Sequence, residues 1–256
     1  MKTRRSELEF AGATISEFDG VRYLHLGTEW VQGGMRIRKP RQLELEYARR
    51  MMAWMLWRPA DVVTEGHAVQ LGLGAATITR FTRQVLGMRT TAVEINPTVV
   101  IACRMFFHLP QDDARLAVVL DDAWRWVSDA ANRRTADVLC VDLYDHQAAA
   151  PVLDDADFYA ACHGVLAPGG VMTVNLFGRK SSFERSAGLI AAAFGSDQVW
   201  QLIPTKEGNT IVVAGRGIEV PDRDTLAARA QAIEARFGLK AGLWLQMVRP
   251  WQPVNR

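Results

Sequence analysis

Cysteine is scarce in this chain of 256 residues, and its three cysteines lie far apart. Cys103, Cys140 and Cys162 show no paired spacing, so a disulfide framework is not expected. Cys140 lies within an apolar strand-like run, and Cys162 lies within an apolar helix-like run. We interpret all three as reduced core residues of a cytoplasmic protein.

Long apolar runs and an excess of one charge are also lacking. The longest apolar stretch, Met51 to Trp57, is too short to span a bilayer, and the N-terminus has no apolar signal region. There are 30 basic and 28 acidic residues, which gives a net charge of +2. Phosphate binding usually needs a concentrated basic face, so neither nucleic acid nor a membrane is expected as the main partner.

Histidines at metal-ligand spacing are missing as well. The five histidines occur singly along the chain, at His25, His67, His108, His146 and His163. No nucleophile stands beside a general base, and we predict no metal site. His146 follows Asp145 directly, so it either touches a substrate or lies on a surface loop, and we favour the loop.

The first 42 residues predict a small N-terminal β-sheet. Two alternating runs, 13–18 and 21–26, flank Asp19-Gly20, which is a strong hairpin signal. A third run, Glu29-Trp30-Val31-Gln32, is expected to extend this sheet. The segment from Leu43 to Trp57 then predicts a helix with a wide apolar face, which ends before Pro59.

From residue 67 onwards, short apolar runs alternate with amphipathic segments. Strands are predicted at Ala68–Leu71, Thr90–Ile95, Leu116–Leu120, Val138–Asp142, Val171–Leu176, Val199–Ile203 and Thr210–Ala214. This alternation predicts an α/β fold with a Rossmann-like, seven-stranded and mainly parallel sheet. The turn at 206–209 predicts an antiparallel edge hairpin. A helix near 223–237 and an apolar tail at 243–254 complete a second domain, residues 43–256.

The first strand of this domain runs into a glycine loop, Gly72-Leu73-Gly74-Ala75-Ala76, which opens a helix. Glycines there let the backbone turn tightly and approach a ligand, although an ordinary strand–helix turn is the alternative. Glu94 ends the next strand about 20 residues later, where a carboxylate can accept both ribose hydroxyls. We therefore predict a nucleotide-type cofactor bound by Gly72, Gly74, Ala75 and Glu94.

Acidic residues also end the third and fourth strands. Asp121 and Asp122 follow the third strand, where one can bind an adenine amino group and the other can cap a helix; we favour Asp121 as the cap. The fourth strand ends in Asp142-Leu143-Tyr144-Asp145. Its carboxylates and phenol are predicted to hold a cationic amine and to take its proton. A loop-capping Asp142 beside a solvated Asp145 is the alternative.

These segments resemble the spermidine synthase family, the aminopropyltransferases built on the class I methyltransferase fold. The similarity runs from about Val21 to Gly215. It is carried by Trp30-Val31-Gln32, Glu44-Leu45-Glu46-Tyr47, Asp142-Leu143-Tyr144-Asp145, Phe158-Tyr159, Leu166-Ala167-Pro168-Gly169-Gly170 and Ile203-Pro204-Thr205. The resemblance implies transfer of an aminopropyl group from decarboxylated S-adenosylmethionine to a di- or polyamine, in a homodimer.

The resemblance also implies roles for individual residues. Gln32 would contact the tail of the S-adenosyl co-substrate, Glu94 its ribose, and Asp122, beside Asp121, its adenine. Asp142 would assist deprotonation of the attacking amine. Tyr47 and Asp145 would hold that amine.

Three positions depart from the family pattern. Ala75 stands where the family has an acidic residue that grips the aminopropyl amine, and Ala48 replaces a His or Gln. Lys206, a candidate substrate contact, would repel a cationic acceptor unless it pointed to solvent. A methyltransferase that uses intact S-adenosylmethionine is therefore one alternative function. A non-catalytic binding or assembly protein is the other alternative.

The dimer expectation has one further source in the sequence. Aromatic residues are concentrated in the N-terminal sheet and in the segments Met52–Trp57 and Trp244–Trp251. These segments either form an interface between two copies or belong to the core, and we favour the core.

Overall fold

The computed structural model describes residues 10–143, 153–178 and 180–253. A three-stranded antiparallel sheet comes first, formed by β1 (Ala13–Phe18), β2 (Val21–Leu26) and β3 (Gly33–Arg36). Asp19 and Gly20 both have positive φ, 48° and 71°, as a tight hairpin turn with the twist of its strands requires. The small N-terminal sheet is thus confirmed.

The third strand of this sheet lies later than we predicted. Gly33–Arg36 pairs with the second strand, while the expected run Glu29–Gln32 contains no strand. The backbone N–H of Trp30 instead donates to Oγ1 of Thr28 (3.3 Å) within a bend. This bend carries residues 29–32 over the edge of the main sheet.

The predicted helix over 43–57 is present in two parts. An α-helix, α1 (Glu46–Met51), continues as a 3₁₀ segment, Met52–Trp57, in which every side chain is buried. Trp244 and Trp251 are also buried. These tryptophan-rich segments therefore belong to the core and do not offer a surface to a second copy.

The main sheet is mixed and mostly parallel. Its strands are β4 (His67–Leu71), β5 (Arg89–Glu94), β6 (Leu116–Leu120), β7 (Ala136–Val141), β8 (Leu166–Phe177), β9 (Val199–Leu202), β10 (Asn209–Gly215) and β11 (Val248–Pro250). Their order across the sheet is β11-β9-β10-β8-β7-β4-β5-β6, and the neighbouring pairs from β8 to β6 are parallel. The predicted α/β fold is confirmed.

The sheet has eight strands where the sequence predicted seven. The extra strand, β11, comes from the apolar tail and pairs antiparallel with β9. The β9–β10 hairpin is therefore antiparallel as predicted, but β11 occupies the edge and β10 pairs with β8. A three-residue strand is too short to be recognised from its own pattern.

Helices cover both faces of this sheet. They are α2 (Thr77–Arg80, continued by a π-helical turn, Phe81–Val85), α3 (Pro97–Phe106), α4 (Ala123–Ser128), α5 (Ala156–Val165), α6 (Lys180–Phe194), α7 (Arg223–Phe237) and α8 (Ala241–Met247). Short 3₁₀ turns occur at Ala130–Asn132 and Ser196–Gln198. No helix in the described ranges is long and apolar enough to cross a membrane.

Alternate residues of the strands point to different cores. Val138 and Cys140 of β7 pack towards the Met52–Trp57 segment, α7 and α8. Leu139 and Val141 of the same strand pack with residues of α4, α5 and α6. This period-two division is the expected result for a parallel sheet buried on both faces.

A third core joins the small sheet to the glycine loop. Leu24 and Met35 of the small sheet are buried together with Ala75 and Ala76. A Cβ placed on Gly33 would lie only 2.7 Å from the Cβ of Ala75, so only glycine lets the two backbones approach this closely. The small sheet is thereby held over the carboxyl ends of the main strands.

Candidate active site

A cleft of about 720 Å³ opens at the carboxyl ends of the parallel strands. Its walls come from the segment 29–32, from α1, from the ends of β4 to β8, and from the turn before β10. Ligands of open α/β sheets bind at this edge, because the loops after neighbouring strands diverge there. The volume suits a nucleoside-sized ligand together with a second small molecule.

Gly72 and Gly74 form the floor of the cleft in backbone conformations with positive φ, 82° and 50°. A Cβ on Gly72 would lie 2.2 Å from the carbonyl oxygen of Asp142, which the neighbouring strand brings across. A Cβ on Gly74 would lie 2.9 Å from the carbonyl oxygen of Gln32. Both glycines therefore permit close backbone approaches as well as a turn.

Glu94 stands at the end of β5, where it lines the cleft and is almost fully buried. Its Oε2 accepts the backbone N–H of Leu73 (2.9 Å), and its Oε1 accepts that of Asn96 (2.8 Å). Burial raises the pKa of Glu94 above its ordinary value, although backbone N–H groups oppose the rise. The carboxylate is thus joined to the glycine loop by a direct hydrogen bond.

Asp121 and Asp122 both line the cleft after β6, and Asp122 is the residue that caps the following helix. Asp122 caps α4, since its Oδ1 accepts the backbone N–H of Arg125 (3.1 Å). Asp121 accepts the backbone N–H of Asp122 (2.9 Å) and lies 3.6 Å from the Arg125 guanidinium. The prediction that Asp121 caps this helix was wrong, because the capping position is the residue directly before the first turn.

Asp142 follows β7 directly and lines the cleft. Its Oδ1 accepts a hydrogen bond from Nδ2 of Asn175 (2.9 Å), and Tyr47 of α1 also bonds its carboxylate. Burial raises the pKa of Asp142 from 3.8 to about 6, against the effect of these two hydrogen bonds. The group is therefore charged at neutral pH and able to take up a proton.

Two asparagines that are connected to Asp142 by hydrogen bonds were not identified from the sequence. Asn175 is buried in β8, and its Oδ1 accepts a hydrogen bond from Nδ2 of Asn209 (3.1 Å) at the start of β10. Both residues line the cleft. An amide inside the otherwise apolar end of a strand, as in Val174-Asn175-Leu176, was the available signal.

Gln32 and Tyr47, which were predicted to contact the co-substrate and the amine, both line the cleft. The Nε2 atom of Gln32 is buried and has no hydrogen-bond partner among the described residues. A buried donor without a partner is costly, and a ligand acceptor in the cleft would satisfy it. Gln32 is therefore prepared for contact with a bound molecule.

Two predicted site residues lie outside the cleft wall. Ala75 is buried beneath Gly33, so its side chain packs within the third core and does not face a ligand. Lys206 is exposed on the turn before β10, while its neighbour Glu207 lines the cleft. The acidic neighbour, which the sequence analysis did not select, thus faces the site from this turn.

Tyr144, Asp145 and His146 lie outside the described residues. Their predicted contacts with the acceptor stay predictions.

The cleft is strongly acidic. Among the described residues its lining has one guanidinium, that of Arg49, and these eight carboxylates: Glu29, Glu44, Glu46, Glu94, Asp121, Asp122, Asp142 and Glu207. Three of them are paired with guanidinium groups: Glu44 with Arg36 (2.6 Å), Glu46 with Arg50, and Asp121 with Arg125 (3.6 Å). No cluster of three potential metal ligands occurs within residues 10–143, 153–178 and 180–253. An acidic cleft of this kind attracts cationic ligands.

Comparison with known proteins connects this cleft to one family. Residues 77–214 match the spermine/spermidine synthase domain model. A polyamine aminopropyltransferase of Chromobacterium violaceum is 31% identical over 92% of this chain and 88% of its own length. A polyamine aminopropyltransferase of Neisseria meningitidis is 28% identical over 99% of this chain and 95% of its own length.

Solved structures share the fold at lower identity. A probable spermidine synthase from Corynebacterium glutamicum has a TM-score of 0.70 and 20% identity, covering 88% of this chain and 84% of its own. Human methyltransferase-like protein 13, solved with SAH, has a TM-score of 0.64 and 20% identity, covering 82% and 97%. The structural likeness establishes the fold, while the family model and the relatives establish that the chain belongs to the spermine/spermidine synthase family of transferases.

Proposed function

We propose that this protein transfers an aminopropyl group from decarboxylated S-adenosylmethionine to a small di- or polyamine. The observation that carries the proposal is the Asp142 carboxylate, which lines an acidic cleft, is held by Asn175 and Tyr47, and has its pKa raised by burial to about 6. Such a group attracts a cationic amine and accepts its proton near neutral pH. The names of the relatives, polyamine aminopropyltransferases, support the same reaction.

The donor half of the site is proposed at the ends of β4, β5 and β6. Gly72 and Gly74 leave room for the ligand against the backbone, and Glu94 accepts the ribose hydroxyls. Asp121 and Asp122 face the adenine, because they end the neighbouring strand. Gln32 also lines the cleft and offers its buried Nε2 donor.

The charge of the cleft favours the decarboxylated donor over intact S-adenosylmethionine. The two donors differ by one carboxylate, which eight carboxylates around the cleft would repel. Ala75 supplies no acid to the donor, but Glu29 and Glu207 line the same cleft. The methyltransferase alternative is not favoured, since the similar methyltransferase-like protein shares only the fold with this chain.

The acceptor half is proposed around Asp142. Tyr47 and Asn175 orient the carboxylate, and Asp145 and Tyr144 would hold the amine from the following loop. As the amine nitrogen bonds to the carbon beside the sulfonium, its proton passes to Asp142. The carbon–sulfur bond breaks, and its electron pair stays on sulfur, which becomes a neutral thioether. Because the electrophile is already activated, the protein mainly contributes positioning and the base.

Mass spectrometry of a reaction mixture tests the proposal. The purified protein is incubated with either donor and with a mixture of diamines and triamines of different length. We expect a mass gain of one aminopropyl group on one of the amines, with the decarboxylated donor only. Methylation of any amine by the intact donor would contradict the proposal.

The variant Asp142→Asn provides the control for this assay. It keeps the size of the side chain but cannot accept the proton, so turnover is expected to fall by about 100-fold or more. Calorimetric titration of the variant with the decarboxylated donor should still show binding. Unchanged turnover in Asp142→Asn would remove Asp142 from the mechanism.

We also propose that the protein is a cytoplasmic homodimer. Each copy would consist of an N-terminal β-sheet region, 1–42, and a catalytic domain, 43–256. With the tryptophan-rich segments in the core, the support for the dimer comes from exposed side chains of the N-terminal part. Phe18 is 77% exposed and Trp30 is 57% exposed. Light scattering coupled to size exclusion measures the mass in solution, and a monomer at micromolar concentration would refute the dimer.

A further inference from the structure

A row of hydrogen bonds runs from the turn before β10 to Asp142. Oγ1 of Thr205 donates to Oδ1 of Asn209 (3.5 Å), and Nδ2 of Asn209 donates to Oδ1 of Asn175 (3.1 Å). Nδ2 of Asn175 then donates to Oδ1 of Asp142 (2.9 Å). Every donor in this row points towards the carboxylate, and we call the row from Thr205 to Asp142 the relay.

The chemistry of the end groups allows one direction only for this row. An ionised carboxylate can only accept hydrogen bonds, so Asn175 must present its NH₂ group to Asp142. The carbonyl oxygen of Asn175 then faces Asn209, which must present its own NH₂ group. If the amide of Asn175 turned over, an oxygen would face the carboxylate, and the ionised form of Asp142 would lose this hydrogen bond and keep only that of Tyr47 among the two.

We propose that Asn209 is a positioning residue, which holds the amide of Asn175 in the orientation that keeps Asp142 ionised and hydrogen-bonded. The link of this relay to catalysis rests on the proposed function, whereas the relay itself does not. Asn209 also belongs to the same short turn as Glu207, which lines the cleft. The turn that carries Glu207 and the proposed base are thus joined by one row of side chains.

The side chain of Asn209 can be changed without loss of the turn. The backbone N–H of Thr205 donates to the carbonyl oxygen of Asn209 (2.8 Å), and the backbone N–H of Asn209 donates to Oγ1 of Thr205 (3.2 Å). Asn209 also pairs with Phe177 in the sheet. None of these contacts involves the amide group at position 209.

The other ionisable side chains around Asp142 are the same in all variants at position 209. They are Tyr47 on α1, Cys140 on β7, Glu94 at the end of β5 and Glu207 on the turn. Since all four are present in every variant at position 209, a change in the protonation of Asp142 reports on the relay.

The test measures the pKa of Asp142 directly, without any substrate. Carboxyl ¹³C resonances of aspartate-labelled protein are followed as a function of pH, and Asp142→Asn assigns the resonance. In Asn209→Ala the oxygen of Asn175 loses the donor that faces it, so the orientation that bonds ionised Asp142 is favoured less, and we expect the pKa of Asp142 to rise by about one unit or more. Asn209→Asp, which is isosteric and accepts from Asn175, is expected to raise it further.

Asn132→Ala is the matched control, because Nδ2 of Asn132 bonds the carbonyl oxygen of Trp126 away from the cleft. It should leave the pKa of Asp142 unchanged. An unchanged pKa in folded Asn209→Ala would overturn the proposal, and so would a rise in Asn209→Asp alone, which would show a simple charge effect.

Transfer assays separate this inference from the proposed function. If the pKa rises in Asn209→Ala and the acid limb of kcat/KM moves up with it, both are supported. If the pKa rises but no aminopropyl transfer occurs in any variant, the relay stands and the proposed function fails.

Discussion

Asp142→Asn is expected to make the protein more stable at neutral pH while it removes the proposed base. Folding raises the pKa of Asp142 from an ordinary 3.8 to about 6, because the carboxylate is buried. The folded state therefore binds a proton more tightly than the unfolded chain. Stability contributed by this group is fully present at low pH and is lost as pH rises through the folded pKa.

The size of the effect follows from the shift. About two pKa units at about 1.4 kcal/mol each amount to a cost of about 3 kcal/mol for the ionised carboxylate at about pH 8. Asp142 faces the cleft, and water there reduces the cost, so we expect a gain of about 1–3 kcal/mol in Asp142→Asn. Roughly half of the gain should disappear by about pH 5.

Urea unfolding followed by tryptophan fluorescence measures this gain at the two pH values for both proteins. The other carboxylates are the same in the two proteins. The change with pH in the difference between their free energies of unfolding therefore reports on Asp142. The matched variant Asp121→Asn removes an aspartate beside Arg125 on the same cleft, and we expect a change of at most about 1 kcal/mol. If Asp142→Asn is no more stable than the wild type at about pH 8, the reasoning from burial is refuted.

Three further predictions concern the proposed activity and the glycine loop. First, kcat/KM for transfer should fall about tenfold per pH unit below about pH 6, because protonation of Asp142 removes the base; a rate profile that stays flat there would contradict this. Second, Gly72→Ala should lower the free energy of unfolding by about 2 kcal/mol or more in a thermal melt, since the new Cβ would lie 2.2 Å from a carbonyl oxygen at positive φ. Gly87→Ala is its control, with positive φ but open space, and should cost only about 1 kcal/mol; equal losses would rule out the close approach. Third, Glu94→Gln should weaken calorimetric binding of the decarboxylated donor by about tenfold or more, and an unchanged Kd would remove it from the donor site.

Much of the fold was predictable, because its signals are local. The Asp19-Gly20 turn, the alternation of strands and helices, and the apolar runs of β4 to β8 each depend on a few neighbouring residues. The short strand β11 was missed because it exists only through its pairing with β9. Residues 29–32 were assigned to a strand from their composition, whereas the approach of the small sheet to the glycine loop requires a bend there.

The candidate site was predictable to the extent that it follows from strand ends. Gly72, Glu94, Asp122 and Asp142 all line one cleft, as expected when the carboxyl ends of neighbouring parallel strands share an edge. The direction of individual side chains was not predictable. Ala75 turns into a core and Lys206 lies exposed, because contacts with distant residues decide which way each turn presents its members.

The sequence by itself determined most of the succession of strands and helices, the glycine loop and the acidic residues at the ends of β5, β6 and β7, since these depend on neighbouring residues. Only the tertiary structure decided that Asp122 caps its helix and that Glu207 faces the cleft. It also decided that Asn209 reaches Asp142 through Asn175. These contacts join residues far apart in the chain, and their geometry exists only once the sheet has assembled.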